Sequence, residues 1–420
     1  MSLAREVMIK KSFRLMIFLA YYLSFAFVFA VLNFNLIKIP IPFLNFFELL
    51  VIPILIVMFP FIKSISKYEK VLYGSIFLII LIRLISIFFA EYFRLDQLIS
   101  VMRFFEYIFI ICIVSTLLRD AKTQGYFVKG VMVFTFLETV MGITVFLMSR
   151  GHFRGYFFTN GIYIQQIFVL LIALGNILYG QKYKYFWGFL SLIMFLGIIT
   201  AEIRIGYMDL LIALFLYLIF AEYKTRLAKM LLLVLLVFLP LISLLYFKGY
   251  LNVVEIRITQ AFKGEGTVLV RAALWTLAWR LFLSHPFTGI GTGGFARFQE
   301  QYLASLGLTL PEEYIGLSTH NTVLGILAET GIIGFIAYLV YVFVVFKIFR
   351  LLIKLYYLEL NYDKKIYAIS VGICLVIVIL MDWFAQGSFS QGAAVLLGFA
   401  LGILKEKNRS LGGSKDGFES

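Results

Sequence analysis

Long apolar segments, separated by short polar ones, fill most of the chain. About 20 apolar helical residues cross a hydrocarbon core about 30 Å thick. By that measure twelve segments are predicted to span a membrane, namely residues 13–33, 43–62, 70–90, 99–118, 127–148, 162–180, 185–203, 206–222, 228–247, 321–347, 366–384 and 387–404. The weakest boundary lies at 203–206, where a tight turn and a re-entrant break fit equally well. Each span is expected to be an α-helix, because lipid leaves backbone polar groups no water to bind.

Composition supports the same class of protein. The chain has 420 residues, of which 62% are hydrophobic and 18% aromatic, and its mean hydropathy is +0.98. A water-soluble core of this length cannot bury so much apolar surface, so lipid must solvate part of it. The predicted fold is therefore an all-α polytopic membrane protein with about twelve transmembrane helices.

The positive charges predict the orientation of the spans, because short cytoplasmic loops retain lysine and arginine. With a cytoplasmic N-terminus, alternate loops hold most of the basic residues, whereas the opposite short loops hold few. Both termini are then cytoplasmic. The net charge of +14 serves orientation and suits anionic lipid headgroups, so nucleic acid is not expected as a partner.

Metal ligands and disulfides are not indicated. Cys112 and Cys374 both lie inside predicted spans and behave as small apolar residues. The chain has no Asp-x-Asp motif to hold a divalent ion on a diphosphate. We therefore expect no metal and no cofactor.

One long polar segment interrupts the spans and divides the chain. Residues 1–247 are predicted as transmembrane helices 1–9, 248–319 as a periplasmic loop domain, 320–404 as helices 10–12, and 405–420 as a cytoplasmic tail. An amphipathic helix is predicted at 268–283, because a set of residues recurs there at intervals of three and four. The set is Arg271, Trp275, Ala278, Trp279 and Phe282. Such a helix fits the membrane surface, with its tryptophans at headgroup depth.

A glycine-rich turn follows this helix at residues 284–295. Gly289, Gly291 and Gly294 match the G-x-G-x-x-G spacing of dinucleotide sites, but no strand precedes them and no strand–helix–strand unit surrounds them. A simple turn is therefore expected. A turn that cradles phosphate stays open as an alternative, since successive backbone N–H groups bind anions.

Four motifs together resemble the O-antigen ligase and polymerase superfamily. They are Arg204 after an apolar span, Arg271 and Trp275 on one helix, the turn from His285 to Phe295, and His320-Asn321 followed by Glu329 and a Gly-Ile-Ile-Gly run at 331–334. Members have about a dozen spans and a large periplasmic loop before a late helix. The usual Ser-Arg-Gly pattern is Ile203-Arg204-Ile205-Gly206 in this chain, which departs from the family.

The resemblance implies transfer of a glycan from undecaprenyl diphosphate to a hydroxyl of a second lipid-linked sugar. Arg204 and Arg271 would neutralise the diphosphate, because guanidinium groups stay charged and fork onto phosphate oxygens. His320 would deprotonate the acceptor hydroxyl, and the anomeric centre would invert. The structural alternatives are interfacial arginines and a helix cap at 319–321. Residues of secondary rank for substrate binding are Arg280, Arg297, Arg154, Trp275 and Asn321.

Several functions remain open. A ligase that uses lipid A-core as acceptor, at the periplasmic face of the bacterial inner membrane, is favoured over a polymerase that extends polyprenyl-linked glycan. A protein-modifying oligosaccharyltransferase ranks lower, because little chain follows the last span. A carrier of lipid-linked glycan is the alternative from another class, and it would depend on the ionisable residues inside spans, namely Arg83, Arg103, Glu106 and Glu138.

Overall fold

The computed structural model describes residues 2–29, 65–88, 95–149, 163–201, 204–229, 267–296, 299, 303, 316–383 and 390–411. Their regular structure is α-helical, and no strand occurs in these ranges. The main helices are α1 (Ser2–Phe29), α2 (Lys67–Phe88), α3 (Leu95–Leu117), α4 (Ala121–Met148), α5 (Tyr163–Leu178), α6 (Lys184–Thr200), α7 (Arg204–Phe220), α8 (Thr267–Ser284), α9 (Thr322–Leu358), α10 (Tyr362–Met381) and α11 (Gln391–Leu411). The all-helical class predicted from the sequence is confirmed.

Four of these helices, α2, α4, α9 and α10, are long and apolar enough to cross a membrane. Shorter apolar helices at Arg14–Phe27, Tyr163–Leu178, Lys184–Thr200, Ile205–Phe220 and Gln391–Lys405 coincide with other predicted spans. The predicted span 43–62 lies outside the described residues, as does nearly all of 228–247. The chain is thus a multi-pass helical protein, while the number twelve and the division at 247 and 319 stay predictions.

Helix ends follow local polar signals in the sequence. Asp120 caps α4 by accepting a hydrogen bond from the Thr123 N–H at 3.0 Å. Asn361 caps α10 in the same way, through the Lys364 N–H at 3.3 Å. Such side chains satisfy N–H groups that the first helical turn leaves unpaired. The weak boundary near 203 separates two helices, since α6 ends at Thr200 and α7 begins at Arg204.

The core of the bundle is formed by helices that are apolar around their whole circumference. α10 and α5 are buried along most of their length, which is the pattern of a helix surrounded by other helices. Polar side chains join them to their neighbours. Gln165 Nε2 donates to the Phe27 carbonyl at 3.0 Å, and Gln166 Nε2 donates to Thr139 Oγ1 at 3.0 Å. Hydrogen bonds of this kind are typical between helices in lipid.

The helix predicted at 268–283 is present as α8, and an aliphatic face of it packs against the rest of the protein. Leu274, Leu277, Ala278 and Leu281 are fully buried in one cluster that includes Ala328 of α9. Trp279 faces outward and is 47% exposed. The described contacts therefore bind α8 to α9 through an aliphatic face, while the contact of this helix with the membrane surface stays a prediction.

α9 is broken within its first turns. Gly331 has φ 64° and ψ −162°, which is not helical, so two helical pieces meet there. Glycine adopts a positive φ without the steric cost that other residues meet. The break matters for function because the glycine-rich turn after α8 fills it.

Candidate functional site

The candidate site lies where α8, the start of α9 and the turn between them meet. His320 immediately precedes the cap of α9 and adopts a left-handed backbone conformation, with φ 49°. A non-glycine residue rarely adopts this conformation, and such strain is concentrated at functional sites. Two non-glycine residues in the described ranges have a positive φ, Tyr183 and His320, and the second is the histidine that the sequence predicted as a base.

Trp275 fixes α8 against this segment. Its Nε1–H donates to the Thr319 carbonyl at 3.1 Å, one residue before His320. Arg271 lies four residues earlier on α8, and therefore one turn away on the same face. The Arg-x-x-x-Trp pattern thus has a geometric reason, because the tryptophan ties the helix to the histidine segment and the arginine then lies beside it.

Arg271 and His320 are electrostatically coupled. Burial lowers the pKa of His320 below its ordinary value of 6.5, and the positive charge of Arg271 lowers this pKa further. Both causes disfavour the imidazolium ion, because one removes water and the other adds like charge. His320 is consequently neutral at neutral pH and has a lone pair with which to accept a proton.

Asn321 caps α9. Its Oδ1 accepts the Leu324 N–H at 2.9 Å, and its Nδ2 donates to the Trp383 carbonyl at 2.7 Å. The adjacent Thr322 N–H donates to the Asp382 carbonyl at 2.8 Å. The described bonds of Asn321 therefore hold the start of α9 to the end of α10, while a contact with sugar stays a prediction.

The glycine-rich turn docks into the break of α9 by backbone hydrogen bonds. The N–H of Ile290 donates to the Ala328 carbonyl at 2.9 Å, and the N–H of Ile332 donates to the Pro286 carbonyl at 2.8 Å. A Cβ on Gly289 would lie 2.3 Å from the Glu329 carbonyl carbon, and one on Gly331 would lie 2.4 Å from Phe287. These distances are too short for any side chain, so both glycines permit the close approach.

The donors that would form a phosphate cradle in this turn are already used. The Glu329 carboxylate accepts backbone hydrogen bonds from Gly293 and Phe295. The N–H of Gly291 donates to the Glu329 carbonyl, and that of Gly294 donates to Gly291, both at 3.0 Å. The turn thus holds a carboxylate of its own chain, and the glycine spacing serves this docking.

A partly buried ion pair completes the unit. Arg83 Nη1 of α2 lies 3.6 Å from Glu329 Oε2, and their side chains are only 15% and 16% exposed. The guanidinium of Arg83 also lies over the Phe104 ring, 5.0 Å from its centroid. Next to this pair, Thr292 Oγ1 and Ser86 Oγ are 2.7 Å apart. α2 is therefore joined to both the glycine-rich turn and the broken helix.

From the sequence, Arg83 was predicted among the candidate carrier residues and Glu329 was given no role. Ionisable residues inside apolar spans are usually paired with an opposite charge. That rule is the one signal in the sequence that could have connected the two residues. Among the other intramembrane charges, Glu106 accepts a hydrogen bond from Gln391 Nε2 at 2.9 Å. Arg103 is exposed and Glu138 is buried.

The remaining predicted site residues are spread around this centre or lie beyond the described part. Arg280 is exposed and follows Arg271 by nine positions, which is about half a turn around α8. Arg204 begins α7, although its side chain is outside the described set. Arg154 and Arg297 also fall outside it. Their roles stay predictions.

Among the residues whose positions the structure describes, no three His, Cys, Asp or Glu side chains form a group able to hold a metal ion. Basic and hydrogen-bonding groups characterise the described site instead. Such groups suit acid–base chemistry beside a phosphate.

Comparison with known proteins identifies the segment that contains this centre. Residues 189–339 match the family model described as O-antigen ligase. The resemblance to the O-antigen ligase and polymerase superfamily is confirmed. The match includes Arg204, Arg271, Trp275, His320 and Glu329. No curated protein matches the chain.

The O-antigen ligase match and the contacts agree on one region of the molecule. α7, α8 and the first part of α9 lie within the match, as does the intervening turn. Arg83 precedes the matched segment in the sequence and contacts it through the ion pair with Glu329. The family match implies a membrane glycosyltransferase-like enzyme.

Proposed function

We propose that the protein is an O-antigen ligase-like glycosyltransferase. It moves a glycan from undecaprenyl diphosphate to a hydroxyl of lipid A-core at the periplasmic face of the bacterial inner membrane. The observation that carries the proposal is the Trp275–Thr319 hydrogen bond, which holds the helix of Arg271 against the segment of His320, where the charge of Arg271 lowers the pKa of His320. These residues lie inside the segment that matches O-antigen ligase.

The chemical step needs one base and one way to stabilise a diphosphate. Neutral His320 takes the proton of the acceptor hydroxyl while the hydroxyl oxygen forms a bond to the anomeric carbon of the donor. The bond between that carbon and the diphosphate oxygen breaks, and its electron pair stays on undecaprenyl diphosphate. Because displacement occurs from the opposite side, the anomeric configuration inverts. A positioned base contributes about 10²- to 10⁴-fold.

Arg271 has two roles in this proposal. It keeps His320 unprotonated before the reaction, and it neutralises the negative charge that develops on the leaving diphosphate. Arg204, which begins α7 within the matched region, supplies the second guanidinium. Arg154, Arg280 and Arg297 contact phosphate or the outer sugars, and Trp275 offers its ring to a sugar while its Nε1–H holds Thr319.

The same chemistry serves a polymerase, which differs only in its acceptor, another polyprenyl-linked glycan. The family match covers both activities. The carrier alternative gains less support, because Arg83 binds Glu329 and through it the glycine-rich turn. An arginine in that position stabilises the broken helix.

A reconstituted assay distinguishes these functions. Purified protein in liposomes receives undecaprenyl-diphosphate glycan, with and without lipid A-core, and a parallel reaction contains a chelator. Glycan on lipid A-core that forms equally with the chelator supports a metal-independent ligase. Lengthening of the polyprenyl-linked glycan without modification of lipid A-core would show a polymerase, and movement of glycan-lipid without any new bond would show a carrier.

A further inference from the structure

A cavity of about 650 Å³ lies at the end of the bundle remote from His320. Its walls come from the end of α5, the turn and first helical residues that follow α7, and the first residue of α10. The lining includes Tyr179, Glu222, Tyr223, Lys224, Arg226 and Tyr362. Polar, cationic and aromatic groups therefore predominate.

The cavity and the candidate site are about one hydrocarbon thickness apart. α10 begins at Tyr362, which lines the cavity, and ends at Met381, next to the residue whose carbonyl binds Thr322. Twenty helical residues span about 30 Å, which equals the thickness of a bilayer core. Because α10 is long and apolar enough to cross a membrane, we expect the cavity at headgroup depth on the membrane face opposite the candidate site.

One wall of the cavity is held rigid by a network of tyrosines and an ion pair. Lys365 Nζ lies 2.6 Å from Glu222 Oε1, so this carboxylate is neutralised within the wall. The Tyr356 hydroxyl is 2.9 Å from that of Tyr179 and accepts the Glu222 N–H at 2.9 Å. These contacts hold the wall in place, and Lys365 compensates the negative charge of Glu222.

Two cations then set the charge of the cavity. Arg226 Nη1 donates to the Leu178 carbonyl at 2.9 Å, and its guanidinium lies over the Tyr223 ring at 5.9 Å. This hydrogen bond uses one of the five N–H donors of the guanidinium group. It fixes the position of the group and leaves other N–H donors for a ligand. Lys224 is exposed at the cavity, and none of the described hydrogen bonds or ion pairs involves its ammonium group.

We propose that this cavity binds a phosphate group, and that its location favours the headgroup of an anionic phospholipid as the source. Arg226 binds phosphate oxygens with its free donors, Lys224 contributes a second positive charge, and the tyrosines pack against the headgroup. Arginine and lysine near an anionic membrane surface each attract lipid favourably. The proposal is independent of the transfer reaction, because no residue of the cavity belongs to the candidate site.

The test measures binding of phosphatidylglycerol and phosphatidylcholine to the full chain in detergent micelles. We expect the protein to prefer phosphatidylglycerol, and the double variant Lys224→Gln/Arg226→Gln to lower that affinity about tenfold. A charge-matched control, Lys70→Gln/Lys129→Gln, removes two exposed lysines from the same end of the bundle outside the cavity. It should change the affinity less than twofold.

A single-residue variant and a competition experiment complete the test. Lys224→Gln alone removes no described contact, so a loss of affinity in this variant cannot come from misfolding. Competition by millimolar inorganic phosphate would identify a soluble phosphorylated molecule as the source, whereas no competition supports the lipid headgroup. The proposal is overturned if the cavity double variant binds phosphatidylglycerol like wild type, or if the control loses as much affinity.

Discussion

His320 is surrounded by groups that keep it neutral. Burial and the charge of Arg271 both lower its pKa, and the Trp275–Thr319 hydrogen bond holds the adjacent backbone. A base with a lowered pKa is unprotonated over a wider range of neutral pH. At the scale of single residues, the site is thus suited to remove a proton at the pH at which such an enzyme works.

The pH dependence of transfer provides a sharp test of this coupling. We expect kcat/KM to rise with pH through an inflection below 6.5 and to be flat at higher neutral pH. Arg271→Gln removes a positive charge, so the pKa of His320 should rise and the inflection should move to higher pH. The measurement is a pH–rate profile of both proteins.

Arg280→Gln is the matched control for this profile. It removes an arginine from the same helix, about half a turn away, and it should leave the inflection in place whatever its effect on the rate. Equal inflections in wild type and Arg271→Gln would show that Arg271 does not act on the base.

Trp275 is predicted to act as a positioning residue. Trp275→Phe keeps an aromatic ring but leaves the Thr319 carbonyl without its donor, which should cost about 1 kcal/mol of folding stability. Because His320 follows Thr319, kcat should fall about tenfold while KM changes little. Steady-state kinetics measure this split.

Trp279→Phe serves as the comparison, because Trp279 faces outward on the same helix. It should leave kcat and KM near their wild-type values. A fall in kcat as large in Trp279→Phe as in Trp275→Phe would contradict the positioning role.

The sequence predicted Arg271 and His320 in one site, with Trp275 as a secondary substrate contact, because a resemblance supplied their roles. It did not predict that Arg83 pairs with Glu329. The two residues lie on helices that are far apart along the chain, so no spacing of three or four residues relates them. Local spacing contains no information about such a contact.

The element that organises the site is the break in α9. The glycine-rich turn enters the break with backbone hydrogen bonds on both sides of Gly331. Glu329 then holds the turn from within the helix, through Gly293 and Phe295. α8, the turn and α9 therefore form one rigid unit around the segment that contains His320.

Substitution of Gly331 should destabilise this unit. In Gly331→Ala, a Cβ would lie 2.4 Å from the Phe287 backbone, and the residue would keep a positive φ. We expect a loss of about 1–3 kcal/mol of stability, seen as a lower thermal unfolding midpoint in detergent. Transfer activity should fall with it.

Gly74→Ala is the control for backbone strain. Gly74 lies within α2, and nothing lies within 4 Å of the added Cβ. Alanine is the better helix former by about 0.5–1 kcal/mol, so this variant should be unchanged or slightly more stable. Equal destabilisation by both substitutions would refute the docking role of Gly331.

The ion pair between α2 and α9 should be costly to break. Glu329→Gln leaves Arg83 without its carboxylate in a poorly solvated place, which should cost about 3 kcal/mol. Replacing both partners, as in Arg83→Met/Glu329→Gln, should recover part of the loss, because no uncompensated charge then remains. A double-mutant cycle on thermal stability measures the coupling, and additive losses would contradict a direct pair.

Most of the described helices were predictable, because apolar length and polar caps depend on local sequence. α8 was predicted with nearly the observed ends, yet its buried face was not, since the partner surface on α9 decides which side is covered. The turn was predicted to be a turn. Its docking into α9 was not, because the need for Gly289 and Gly331 appears only when two backbones meet.

At the scale of the whole molecule, the candidate site and the phosphate cavity lie at opposite ends of the bundle, about 30 Å apart along α10. The lysines and arginines predicted to be cytoplasmic include Lys224 and Arg226 of the cavity. His320 is then predicted to be periplasmic, where the glycan donor and the lipid A-core of the proposed reaction would meet. The orientation stays a prediction, as do the twelve spans.

The most direct measurement compares wild type with His320→Ala in proteoliposomes, recording both donor binding and glycan transfer to lipid A-core. We expect His320→Ala to bind undecaprenyl-diphosphate glycan still but to transfer it at least about a hundredfold more slowly. Transfer by His320→Ala at the wild-type rate would show that His320 is not the base.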